Sequence, residues 1–159
     1  MRGVIMEKLY RLWVAIVSKL QSAVLLVLRL YFGWHFFLTG KGKLMNLDKT
    51  AGFFDTLHIP MPKLNAIMAG STECFGGLLL LLGLGSRIIT VPLIVTMIVA
   101  YLTADSEAVK NIFNKPDDFL SAAEFLFLLT SVIVLVFGPG VFSLDAVIAG
   151  MRGKKGAKN

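Results

Sequence analysis

Charge is distributed so unevenly along this chain that few folds can accommodate it. Charged residues crowd into the two ends and two loops and leave four long apolar stretches between them. A helix crossing the hydrocarbon core of a bilayer needs roughly 20 predominantly apolar residues. Four segments meet that requirement, Ser18–Leu38, Lys63–Leu82, Arg87–Ala104 and Phe119–Phe137, each bounded by charge, glycine or proline. With 56% hydrophobic and only 16% charged residues, the chain has more apolar surface than a soluble core of 159 residues can hide. The expected fold class is therefore all-α, an integral membrane four-helix bundle forming a single domain over residues 1–159, with no internal repeat or low-complexity tract.

Four spans place both termini on one side. That side collects Arg2, Lys8, Arg11 and Lys19 before the first span, Arg87 in the second loop, and Arg152, Lys154, Lys155 and Lys158 after the last. The opposite loops carry Lys41, Lys43, Lys49, Lys63, Lys110 and Lys115, diluted by acidic neighbours. The positive-inside rule then predicts cytoplasmic termini. The formal charge of +6 belongs to that orientation, with anionic lipid headgroups rather than nucleic acid as its partner. The basic, apolar N-terminus is expected to stay as an anchor, because its apolar run contains Arg29 and His35, is followed by Lys41 and Lys43, and shows no small-residue cleavage site.

Ahead of the first span, Ile5, Leu9, Leu12, Trp13, Ile16 and Leu20 recur at helical spacing, while Glu7, Lys8, Arg11 and Lys19 lie largely elsewhere on the wheel. This pattern predicts an N-terminal interfacial helix; a plain continuation of the first span is the alternative. The first outer loop, Thr39 to Pro62, should hold a short helix over Thr50–Leu57 that prolines stop and that caps the bundle.

Ionisable residues inside the spans carry the functional question. Arg29, His35, Glu73 and Glu124 sit where a charge costs about 2.5 to 3.5 kcal/mol even on the lenient insertion scale, so each needs a partner. Arg29 and Glu73 lie near the middle of antiparallel spans and are expected at one depth, lining a polar pocket or forming a structural ion pair that sets helix register. His35 and Glu124 approach from the same membrane face and are expected to converge there. The second histidine, His58, falls in the outer loop, which leaves no bis-His haem pair, and no zinc or iron ligand spacing is present. The single cysteine, Cys74, excludes an intrachain disulfide and a CxxC pair and reads as packing.

Three helix faces follow from spacing. Arg29, Gly33, Phe36, Gly40 and Lys43 share one face of the first span; Glu73, Gly76, Gly77, Leu80 and Gly83 share one of the second; Pro92, Thr96, Ala100 and Thr103 give the third a small, weakly polar face. The glycines predict close packing of the first two spans. In combination, Arg29-x3-Gly33-x2-Phe36-x3-Gly40-x2-Lys43, then Glu73-Cys-Phe-Gly76-Gly77 with Leu80, Gly83 and Arg87, then Gly138-Pro139-Gly140-x2-Ser143-Leu144-Asp145 resemble the blocks of the DoxX family of small bacterial membrane proteins, over Val24 to Asp145. Gly138-Pro139-Gly140 should end the fourth helix, with Ser143 or Asp145 capping the turn that follows.

That resemblance implies a redox-associated subunit of the bacterial plasma membrane, since the family takes its name from membrane subunits of a thiosulfate:quinone oxidoreductase. It suggests a quinone or similar small apolar molecule as ligand, with Glu73 and Arg29 as the catalytic candidates and His35, Lys43, Glu124, Gly33 and Gly77 as the ligand-binding ones. No flavin, haem, iron–sulfur or metal motif accompanies them, so electrons would come from other membrane or membrane-associated redox subunits, or from substrate. At most the chain is then an oxidoreductase subunit. A non-catalytic anchor or assembly subunit, self-associating or bound to a larger complex, is the alternative; a small transporter would be expected to show the inverted repeat that this chain lacks.

Overall fold

A computed structural model of the chain describes residues 2–156, with side chains from Met6 to Met151. Lys158 therefore lies outside the described residues, as do the side chains of Arg2, Ile5, Arg152, Lys154 and Lys155. The first apolar run holds no proline, and it forms one uninterrupted helix, α1 (Arg2–Met45). The amphipathic N-terminal segment is thus the opening stretch of α1 and not a separate element. From Met6 to Gln21 that stretch is exposed, and burial begins at Leu25. Leu25, Arg29, Phe32, Gly33, Phe36 and Gly40 then form the packed face, displaced toward the C-terminus from the expected Ser18–Leu38. Hydropathy marks where apolar residues are; the glycines decide where a neighbour can touch.

The chain turns at Asn46 into α2 (Leu47–Thr56), slightly earlier than the expected Thr50–Leu57. His58 and Met61, both at positive φ among the prolines of this loop, deliver it into α3 (Pro62–Leu82). Gly83, at φ +70, gives the left-handed turn that closes α3 before α4 (Ser86–Thr103). Two short helices follow, α5 (Ser106–Lys110) and α6 (Pro116–Ser121). An extended Ala122 separates α6 from α7 (Ala123–Phe137), so the expected fourth span is split at its start. After the Gly138–Gly140 turn, α8 (Leu144–Gly156) closes the described chain, a longer element than the short turn expected there.

Among the described residues every regular element is helical. Helix α1 packs chiefly on α3 and α4 chiefly on α7, while α2 lies along α3. Phe36, Leu80, Leu93, Met97 and Val134 form the core where these pairs meet, with the Phe127 ring edge-on to Phe36 at 4.6 Å. Helices α1, α3 and α4 are long and apolar enough to cross a membrane; α7, apolar but with 15 residues, is shorter. Rows of exposed Val, Leu and Ile on these helices would be untenable in water and are what a bilayer solvates.

Candidate functional site

The site follows from the register of α1 on α3. A Cβ added at Gly40 would stand 2.2 Å from the Cys74 backbone nitrogen, and one at Gly77 would stand 2.5 Å from that of Phe37. The two backbones therefore touch, as small residues allow between membrane helices. Gly33 lies against Gly77 and Leu81, and Gly40 against Glu73 and Cys74. Arg29 precedes Gly40 by eleven residues, about 16 Å along a helix. Arg29 and Glu73 consequently do not meet at one depth, contrary to the expectation from span midpoints, and each finds another partner.

Arg29, 1% exposed, turns to the end of α3. Its guanidinium donates to the carbonyls of Leu80 (3.1 Å), Leu81 (3.4 Å), Phe142 (3.1 Å) and Pro139. The first two belong to the last turn of α3, where carbonyls lack helical partners and the dipole favours a cation. Asp145 completes this end by accepting from the Gly85 and Ser86 amides at 2.8 and 3.0 Å, so it caps α4 across the bundle. Ser143 caps the start of α8, accepting from the Ala146 amide at 3.2 Å. Arg29 thus ties α1, the α3–α4 turn and the α7–α8 turn into one clamp, with its donors engaged by backbone.

At the other end of the same α1 face, Lys43 pairs with Glu73. Glu73 is 1% exposed, whereas the Lys43 side chain keeps 30% of its surface accessible. Among the described residues, Glu73 Oε2 is buried without any hydrogen-bond donor. This carboxylate lies at the edge of two cavities. The larger, about 1030 Å³, runs between α3 and α4 beneath α2; the smaller, about 150 Å³, is lined by Phe36, Thr39, Met97, Ala123 and Phe127. Lys43, Glu73 and Glu124 line both. Chemically, the pair sets a carboxylate oxygen that lacks a donor and an ammonium with unused N–H groups beside a largely apolar slot.

Lys43, Glu73 and Glu124 are thus gathered from the expected site residues, although the sequence alone linked Glu124 to His35 instead. His35 lies outside both linings, with its ring 4.5 Å from that of Tyr31 on the preceding turn of α1. Gly33 and Gly77 serve the helix contact, and Cys74, partly buried, packs beside Gly40. The small face of α4 is the wall of the larger cavity, since Pro92, Thr96, Ala100 and Thr103 all line it. Phe53 and Phe54 of α2, with Leu57 just after it, also line it; the sequence placed them in the capping loop helix but not among the site residues.

The DoxX family model matches residues 24–106. Over 132 residues, 82% of this chain and 89% of the relative, the chain is 33% identical to a Bacillus subtilis (strain 168) protein named "Putative oxidoreductase CatD". No solved structure matches it.

Proposed function

The chain belongs to the DoxX family, and on that premise we propose that it is a redox-associated membrane subunit whose α3–α4 crevice binds a quinone or a similar small apolar molecule. The observation that carries this reading is the buried Glu73 carboxylate, paired on one oxygen with Lys43 and unpartnered on the other, beside a cavity of about 1030 Å³. Lys43 donates to one ring carbonyl, Glu73 or Glu124 accepts from a quinol hydroxyl, and the apolar walls hold the ring. Electrons come from a partner subunit or a reduced substrate. The oxidoreductase name of the Bacillus relative agrees with this class of chemistry. The basic ends are in keeping with cytoplasmic termini in a bacterial inner membrane.

Arg29 leaves the reading as a binding or catalytic group and enters it as the clamp that holds α1 on α3. Binding of a quinone analogue to the purified protein tests the proposal. The Glu73→Gln variant, in which Lys43 can still reach water, should stay folded and lose at least about tenfold in affinity. Undiminished affinity in that variant, or no saturable binding by the wild type, would reject the site.

A further inference from the structure

Resting on the crevice reading above, we infer that the ligand is an amphiphile whose apolar tail leaves the site sideways, between α3 and α4, into the lipid. The two helices touch near their shared turn, where a Cβ on Gly76 would stand 3.0 Å from the Leu93 side chain. Beyond that point the crevice lies between them, lined from α3 by residues up to Glu73 and from α4 by residues from Val91 onward. Its flank is apolar and uncovered: Met68, Val91, Val95 and Val99 line it and are 57%, 50%, 55% and 45% exposed. Both helices are long and apolar enough to cross a membrane, so this flank faces hydrocarbon.

The end of the crevice away from the shared turn is different. Helix α2 lies across it, with Phe53 and Phe54 in the lining. The polar groups Lys43 of α1, Glu73 of α3 and Glu124 of α7 also line the crevice. A ligand that satisfies all of this has a hydrogen-bonding head of ring size and a long apolar tail. The head turns toward Lys43 and Glu73, and the tail passes Val95. A compact water-soluble substrate would make no use of a slot whose flank opens to lipid.

Two measurements test this. In protein reconstituted into phosphatidylcholine–phosphatidylglycerol nanodiscs, a nitroxide at Val95→Cys in a Cys74→Ala background should be relaxed more by dissolved oxygen than by a water-soluble nickel complex. The reverse order would overturn the lipid-facing flank, whatever binds. In binding, a decyl-tailed benzoquinone should exceed its methyl-substituted counterpart by about tenfold. Val95→Trp should shrink that difference, by weakening the decyl-tailed analogue more than the short one. Equal affinities for both analogues in the wild type would overturn the tail route and leave the quinone site standing. Binding of neither would overturn the quinone reading, and the nitroxide result alone would then decide the flank.

Discussion

Arg29 and Lys43 are cations on one face of one helix, yet their surroundings have opposite characters. Arg29 is buried, and its donors reach four backbone carbonyls at a place where three chain segments converge. Lys43 is partly accessible, faces a carboxylate with an oxygen to spare, and borders a cavity. A buried charge whose every nitrogen already donates to backbone is committed to holding segments in place. A buried carboxylate that is half satisfied beside a cavity retains that capacity, and in a folded protein such an atom calls for an explanation. The two ends of this packed α1 face thus differ in what they leave available to a ligand.

The largest effect expected from this division is at the Arg29 end. Arg29→Gln leaves most of the Leu80, Leu81, Pro139 and Phe142 carbonyls without their donor, which should lower stability by at least about 3 kcal/mol. Thermal unfolding of the detergent-solubilised variant reads this as a marked drop in midpoint. A variant that melts with the wild type would erase the distinction between the two ends.

A smaller effect is expected midway, where the ends are held in register. Ala at position 40 would push a methyl into the Cys74 backbone, which cannot rotate away, and should cost about 1 to 3 kcal/mol. Because Gly40 adjoins Glu73, the same change should weaken quinone-analogue binding. Ala at position 70 meets the Leu44 side chain at 3.0 Å, which can yield, so its unfolding midpoint should fall less. Equal losses in the two variants would mean that the backbone contact at Gly40 sets the α1–α3 register no more than the side-chain contact at Gly70 does.

This register explains how far the sequence could be read. The apolar runs, the glycine spacing and the α4 face of Pro92, Thr96, Ala100 and Thr103 are periodic signals, and each reappears as a helix, a contact or a wall. Depth along a helix carries no such periodicity. Arg29 looked central because the apolar run around it is long, but Gly33 and Gly40 align α1 with α3 so that Arg29 falls at the end of its partner. Lys43, at the edge of the hydropathy window, is the residue that reaches Glu73. Asp145 illustrates the same gap: a cap is legible from residue type, but which helix it caps depends on the turn at Gly83, and here it is α4.

The smallest effect is expected on α5, where Lys110 donates to Glu107 at 2.8 Å in full solvent. The hydrogen bond from Lys110, and then its charge, hold the Glu107 carboxyl below its ordinary range. A carboxylate with a depressed folded-state value stabilises the fold above its unfolded value, and that contribution fades as pH falls through the folded one. Water screens an exposed pair of this kind, so Glu107→Gln should leave the unfolding midpoint near that of the wild type and ligand binding unchanged at neutral pH. The pair thereby calibrates the comparison between Arg29 and Lys43. If Glu107→Gln weakened binding as Glu73→Gln is expected to, the sensitivity of the crevice would be a general response to lost negative charge. If it does not, the effect of Glu73 belongs to its burial beside Lys43.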